Sequence, residues 1–171
     1  MRRYERMSLA AASVALAGGL VLVSACSNSV SGTAQVNQSD LATYTSMAAA
    51  SSSAAAKSAA TAACDAFSDA NGTAVRKFNA YIDASNNDAP DTAAKAADAE
   101  TALRDGANDV DRKLVKNVPS GVAQALRDWR DDSKKLADML KTNAPTDIMN
   151  DHIDVFNTTK DAAVDACDSY S

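Results

Sequence analysis

Three cysteines, one histidine and one tryptophan are the side chains best suited to chemistry here. A thiol can carry an acyl-bearing group, pair in a disulfide, bind metal or attack as a thiolate. His152 is suited to ligate a metal or haem as neutral imidazole. It lies between Ile148 and Val155 in an apolar register, with Asp151, Asp154 and Tyr170 as possible neighbours. The same pattern describes a half-buried, hydrogen-bonded histidine at the edge of a core stripe. No second histidine and no metal-ligand spacing accompanies it. Trp129, with Phe67, Phe78, Tyr81 and Phe156, can line a pocket for an apolar ligand, or simply fill an alanine-rich core. The aspartate pairs Asp131-Asp132, Asp105-Asp109 and Asp147-Asp151 read as solvated faces. There is no G-x-S-x-G, no glycine-rich phosphate loop and no H-E-x-x-H. Catalysis is therefore not expected, and neither a metal nor another cofactor is required.

The first cysteine stands apart from the others. Residues 1–7 carry Arg2, Arg3 and Arg6, residues 8–23 are uncharged and mostly Ala, Val and Leu, and the run ends in Val23-Ser24-Ala25-Cys26. This apolar run is short for a spanning helix and is interrupted by Gly18-Gly19, which favours a signal segment. Its end resembles the lipobox of bacterial lipoproteins, with Val23 in place of the commoner leucine. The resemblance covers residues 1–26. It implies cleavage before Cys26 and a diacylglycerol on its thiol. An ordinary secretory signal followed by a chance cysteine is the competing reading. Lipid would hold the protein at the extracytoplasmic face of the cell membrane, because two or more acyl chains anchor where one does so marginally.

The chain has a formal net charge of −5, and residues 1–25 hold an excess of positive charge. The remainder is thus more acidic still, which disfavours nucleic acid and anionic headgroups as partners. Residues 27–57 are Ser, Ala, Thr, Asn and Gln with few large apolar side chains. Such composition does not offset chain entropy by burial, so residues 26–58 are expected to form a lipidated, disordered tether. Alanines 48–50 and 54–56 leave that boundary soft. The Ala- and Asp-rich make-up is similar to that of lipoproteins from high-GC actinobacteria.

From residue 59 the apolar residues follow a helical period. The first stripe is Ala60, Cys64, Phe67, Ala74, Phe78 and Ile82, with a kink or break possible at Asn71-Gly72. A second helix starts at Pro90 or Asp91 and carries Ala96, Ala99, Leu103, Ala107, Val110 and Leu114. The third carries Val122, Leu126, Trp129, Leu136 and Leu140, with Ser133 in the gap. The fourth, with Thr146 as N-cap, carries Ile148, Met149, His152, Val155, Phe156, Ala163 and Cys167. Glu100–Arg104, Asp109–Lys113, Arg127–Asp131, Asp131–Lys135 and Lys134–Asp138 are i,i+4 pairs. Residues 59–171 thus predict an all-α, antiparallel up-down bundle of four helices, or of three with a broken first segment.

With Cys26 assigned to lipid, Cys64 and Cys167 remain. In an up-down bundle they fall at the same level of neighbouring antiparallel helices, so a disulfide is expected outside the cytoplasm. Two buried free thiols are the alternative. Two functions then compete. One is a non-enzymatic module that docks an unidentified envelope protein or polymer, around Trp129 if that ring is exposed. The other is a carrier or sensor of haem, metal or lipid, with its site near His152 and Trp129. A cavity into which His152 points would favour the second.

Overall fold

The computed structural model describes residues 37–170, and all four expected helices are present. They are α1 (Gln38–Asn86), α2 (Thr92–Lys113), α3 (Ser120–Thr142) and α4 (Thr146–Cys167). Connections of a few residues force each helix to run antiparallel to the one before it. Asp88 and Asn143 take left-handed backbone at φ 50° and 53° and reverse the chain in the first and third connections. Both residue types tolerate that region better than most.

The core stripes are mostly those that the period predicts. Cys64, Phe67, Leu103, Val110, Leu126 and Trp129 are all buried. Ser133 fills its gap in the α3 stripe without an unmet polar group, because its Oγ donates to the Trp129 carbonyl at 2.8 Å. The α1–α2 seam depends on small side chains. A Cβ placed on Gly106 would lie 3.0 Å from the Ala70 Cβ, so the two helices approach where glycine removes the obstruction.

Four expectations need correction. Helix α1 begins at Gln38, not near residue 59, so the tether reading of residues 26–58 fails for 38–58. Low apolar content argues against burial but not against helix, and alanine is the strongest helix former. The Asn37 side chain caps the helix by accepting from the Ser39 N–H at 3.1 Å, and Asp40 lies in the positive first turn. Thr43, Thr45 and Ser46 satisfy their hydroxyls on carbonyls one turn back. Secondly, α1 runs unbroken through Asn71-Gly72. Thirdly, Thr146 is the first residue of α4 rather than its cap, and Pro145 holds the cap position. Fourthly, Ile148 and Val155 are 48% exposed each, while Met149, His152 and Phe156 face the core. Helix α4 bears two apolar stripes, and the period alone does not say which one is buried.

Polar links join successive helices. Lys77 Nζ meets Asp98 at 2.9 Å between α1 and α2. Arg104 holds Glu100 at 2.8 Å on its own helix and Asp138 at 2.6 Å on α3. Arg130 spans from α3 to Asp111 on α2 and also holds Asp131 at 2.7 Å. Of the five expected i,i+4 pairs, Glu100–Arg104 forms. Asp109 takes Arg112, while Asp131 and Asp138 take Arg130 and Arg104. The spacing rule considers one helix surface and is blind to the neighbour.

Helix packing follows chain order, α1 on α2, α2 on α3 and α3 on α4, whereas α1 and α4 meet far less. That thin seam carries the covalent link. Cys64 and Cys167 are disulfide-bonded, with Cα atoms 5.5 Å apart and a sequence separation of 103. The pairing expected from the bundle topology is the one found.

Candidate functional site

His152 is buried, at 4% exposure. Its Nε2 lies 3.1 Å from the main-chain carbonyl of Asp132 on α3 and 3.8 Å from the Asp132 carboxylate. A carbonyl oxygen can only accept, so Nε2 carries the proton and donates. A nitrogen used in this way is not a metal ligand. His152 thus ties α4 to α3 across a helix–helix seam.

Trp129 is fully buried. Its ring meets Phe67 edge-on with centroids 5.1 Å apart and Phe156 at 6.5 Å. Edge-to-face packing of this kind adds to the area term. Its indole Nε1 has no hydrogen-bond partner, and the same holds for the Asn71 Oδ1 on α1. An unmet buried donor costs on the order of 1–3 kcal/mol, which the packing of this large ring must outweigh. The exposed contact face around Trp129 therefore does not exist. His152 and Trp129 are both buried, and neither is among the residues that line the openings described below.

Cys64 and Cys167 are occupied by their bond. Cys26 lies outside the described residues. Among the described residues, no group of three His, Cys, Asp or Glu is placed to hold a metal ion. No described helix is long and apolar enough to cross a membrane.

Three features of the described surface stand out. The first is an open cleft of about 730 Å³ along the α1–α2 seam, floored by alanines and Gly106 and flanked by Asp65, Asp69, Asp105 and Asp109. It is the larger opening, but its acids face solvent and its floor is small side chains. The second is a cavity of about 290 Å³ in the α1–α4 seam. Phe78, Leu103, Leu136 and Phe156 form its buried floor, and Val75, Ile82 and Ile153 its walls. Asn79, Asn150 and Asn157 stand at its rim. Its position follows from the packing, since α1 and α4 are joined by the disulfide at one level and separate further along. Sequence reasoning placed a possible site between helices near His152 and Trp129, neither of which lines this cavity. The signal that it passed over is the set of uncharged amides beside Phe78, Ile153 and Phe156.

The third feature is the N-terminal part of α1. Residues 37–55 are exposed throughout. Leu41, Tyr44 and Met47 are 50%, 72% and 67% exposed, and their spacing of three places them along one side of the helix.

Geometry and pattern together define an all-α, disulfide-stapled, up-down four-helix bundle with a long first helix. A family model described as the Rv2240c four-helix bundle domain matches residues 47–168. The chain belongs to that family, and the match begins within the stretch that composition assigned to a tether. No curated protein and no solved structure matches it.

Proposed function

We propose that this chain is a lipid-anchored protein of the cell envelope, held at the extracytoplasmic face of the membrane through Cys26. In this reading its bundle is a non-enzymatic module that binds an envelope protein or polymer. One observation carries the interaction role. Leu41, Tyr44 and Met47 project from a helix that, over residues 37–55, has no packing partner among the described residues. Tyrosine and methionine are enriched in interface cores, and one aromatic anchor between two aliphatic side chains is a plausible hot spot in composition. The disulfide supports an oxidising compartment. The side chains with most chemical potential in the bundle are committed to structure, His152 to the α3 backbone and Cys64 to Cys167.

The test is site-specific photo-crosslinking in the native envelope. A photoreactive residue at position 44 should give a discrete adduct, and one at Ser46, on the opposite side of the helix, should give much less. Equal labelling from both positions, or none from either, would defeat the interaction reading. The anchoring is tested separately, because Cys26→Ser should move the protein out of the membrane fraction.

A further inference from the structure

We infer that the cavity between α1 and α4 is a binding site for a neutral amphiphile, a single acyl chain or similar apolar body that ends in an uncharged hydrogen-bonding group. This inference does not rest on the interaction reading, which concerns the other end of α1.

The floor of the cavity is closed by side chains that are nearly or fully out of water, Leu103 at 0%, Leu136 at 1% and Phe156 at 6% exposure. An apolar hollow of this kind gains nothing from water, since a buried water needs two to four polar partners. It gains from an apolar occupant through both area removed from water and dispersion contacts. The volume of about 290 Å³ lies at the small end of ligand sites. That suits one chain or one small ring system.

The lining also discriminates by charge. Charged residues make up 23% of the sequence, yet none of the residues that line the cavity is charged. The cations beside the α1 lining residues are turned elsewhere, Lys77 to Asp98 and Arg76 to Thr73. At the rim Lys160 donates to Asn157 at 3.3 Å and pairs with Asp161 at 3.2 Å, so an anionic head would have to compete with that carboxylate and would meet a protein of net negative charge. Haem, with its carboxylates, is a poor fit, and the lining offers no histidine or cysteine to an iron or other metal. What the mouth offers is carboxamide. Among the described residues Asn79 and Asn150 have no side-chain hydrogen-bond partner, and Asn157 accepts from Lys160 at 3.3 Å while keeping its amide N–H groups. Each amide can give and receive hydrogen bonds, which matches hydroxyl, ester or amide groups on a neutral head.

The experiment uses the full chain as a Cys26→Ser variant, so that no acyl group of its own competes. Two fluorescent probes of nearly the same skeleton are compared, neutral N-phenyl-1-naphthylamine and its charged counterpart 8-anilino-1-naphthalenesulfonate. The neutral probe should bind saturably at one site per chain, and the sulfonate at least about tenfold more weakly, because Lys160 at the rim is already paired with Asp161. A monoacylglycerol should displace the neutral probe. Val75→Trp should fill the mouth and weaken binding by about tenfold or more. Since that variant can disturb folding, a second is needed on the exposed rim. Asn79→Lys with Asn157→Lys should leave the melting temperature nearly unchanged and raise the affinity for the sulfonate. Failure of the neutral probe to bind overturns the proposal. So does equal binding of both probes that the rim lysines do not alter. A lipidated protein that excludes the probe while Cys26→Ser admits it would also overturn it, by making the chain's own acyl group the occupant.

Discussion

Helix α1 is two objects joined without a break. From Ala60 onward it is a core helix, with Cys64, Phe67, Ala74 and Phe78 buried against its neighbours. Before that, over residues 37–55, it is an exposed helix that packs on no other element among the described residues. The first part is held by burial. The second is held by alanine's low cost in helix and a capping asparagine, while its hydroxyls are merely satisfied on the helix's own carbonyls. Helix nucleation is the expensive step and propagation is not. A bundle that has already formed the last turns of α1 therefore supplies the nucleus from which the exposed part extends. The comparison shows that absence of a hydrophobic face predicts absence of a partner, and is silent on whether the backbone is ordered.

The strongest way to break the comparison is to unfold one part and watch the other. Cys64→Ser with Cys167→Ser should lower bundle stability by about 4–5 kcal/mol on the loop-entropy model. The exposed part should lose its helicity in the same transition, read by circular dichroism at 222 nm. Persistence of that helix signal after the bundle has melted would refute its dependence on the nucleus. Next in size is the α1–α2 seam. Gly106→Leu must push against Ala70, and should cost about 1–3 kcal/mol in chemical denaturation. His152→Ala should lose a similar or smaller amount, about 1–3 kcal/mol, through lost packing and the lost bond to the Asp132 carbonyl. A metal or haem role predicts instead a changed ligand content with unchanged stability.

The opposite experiment strikes the exposed part alone. Ala50→Pro removes a backbone donor and clashes with the turn before it. It should reduce the 222 nm signal yet leave the bundle's stability within about 0.5 kcal/mol. The smallest effect concerns pH. The Lys77 ammonium, through its hydrogen bond and its charge, holds the Asp98 carboxyl below the usual carboxylate range. The sign follows from linkage. The contribution is present above the unfolded-state pKa, which is about 3.9, and fades as pH falls through the lower folded-state value. Asp98→Asn should therefore leave stability slightly less dependent on pH below about 4, measured by denaturant melts at several pH values. Both groups are half-exposed, so salt will mute the effect.

Much of the bundle was legible because burial imposes a period on sequence. Leu103, Val110, Leu126 and Trp129 fall where the stripes put them, and topology then brought Cys64 and Cys167 to one level. The misreadings have a common origin in reading one helix at a time. Ile148 and Val155 form a plausible stripe that happens to face out. Asp131 and Asp138 satisfy the spacing rule on α3 but find better-placed arginines, Arg130 next to one and Arg104 across the seam from the other. The cavity was illegible for a deeper reason. It is made by what α1 and α4 fail to fill, and no residue type marks a gap. His152 attracted attention by its chemistry, yet its carbonyl partner on α3 belongs to no motif.

The staple has a mechanical consequence. Cys64 follows the exposed part of α1, and Cys167 is the last residue of α4. Tension applied between the start of α1 and the residues after Cys167 passes along the exposed helix, across the sulfur–sulfur bond and out again. The chain between the two cysteines, which are 103 positions apart in sequence, is bypassed. Under such a pull the exposed helix would stretch while α2, α3 and the cavity bore no load. In a reducing environment the same force would run through every helix in turn.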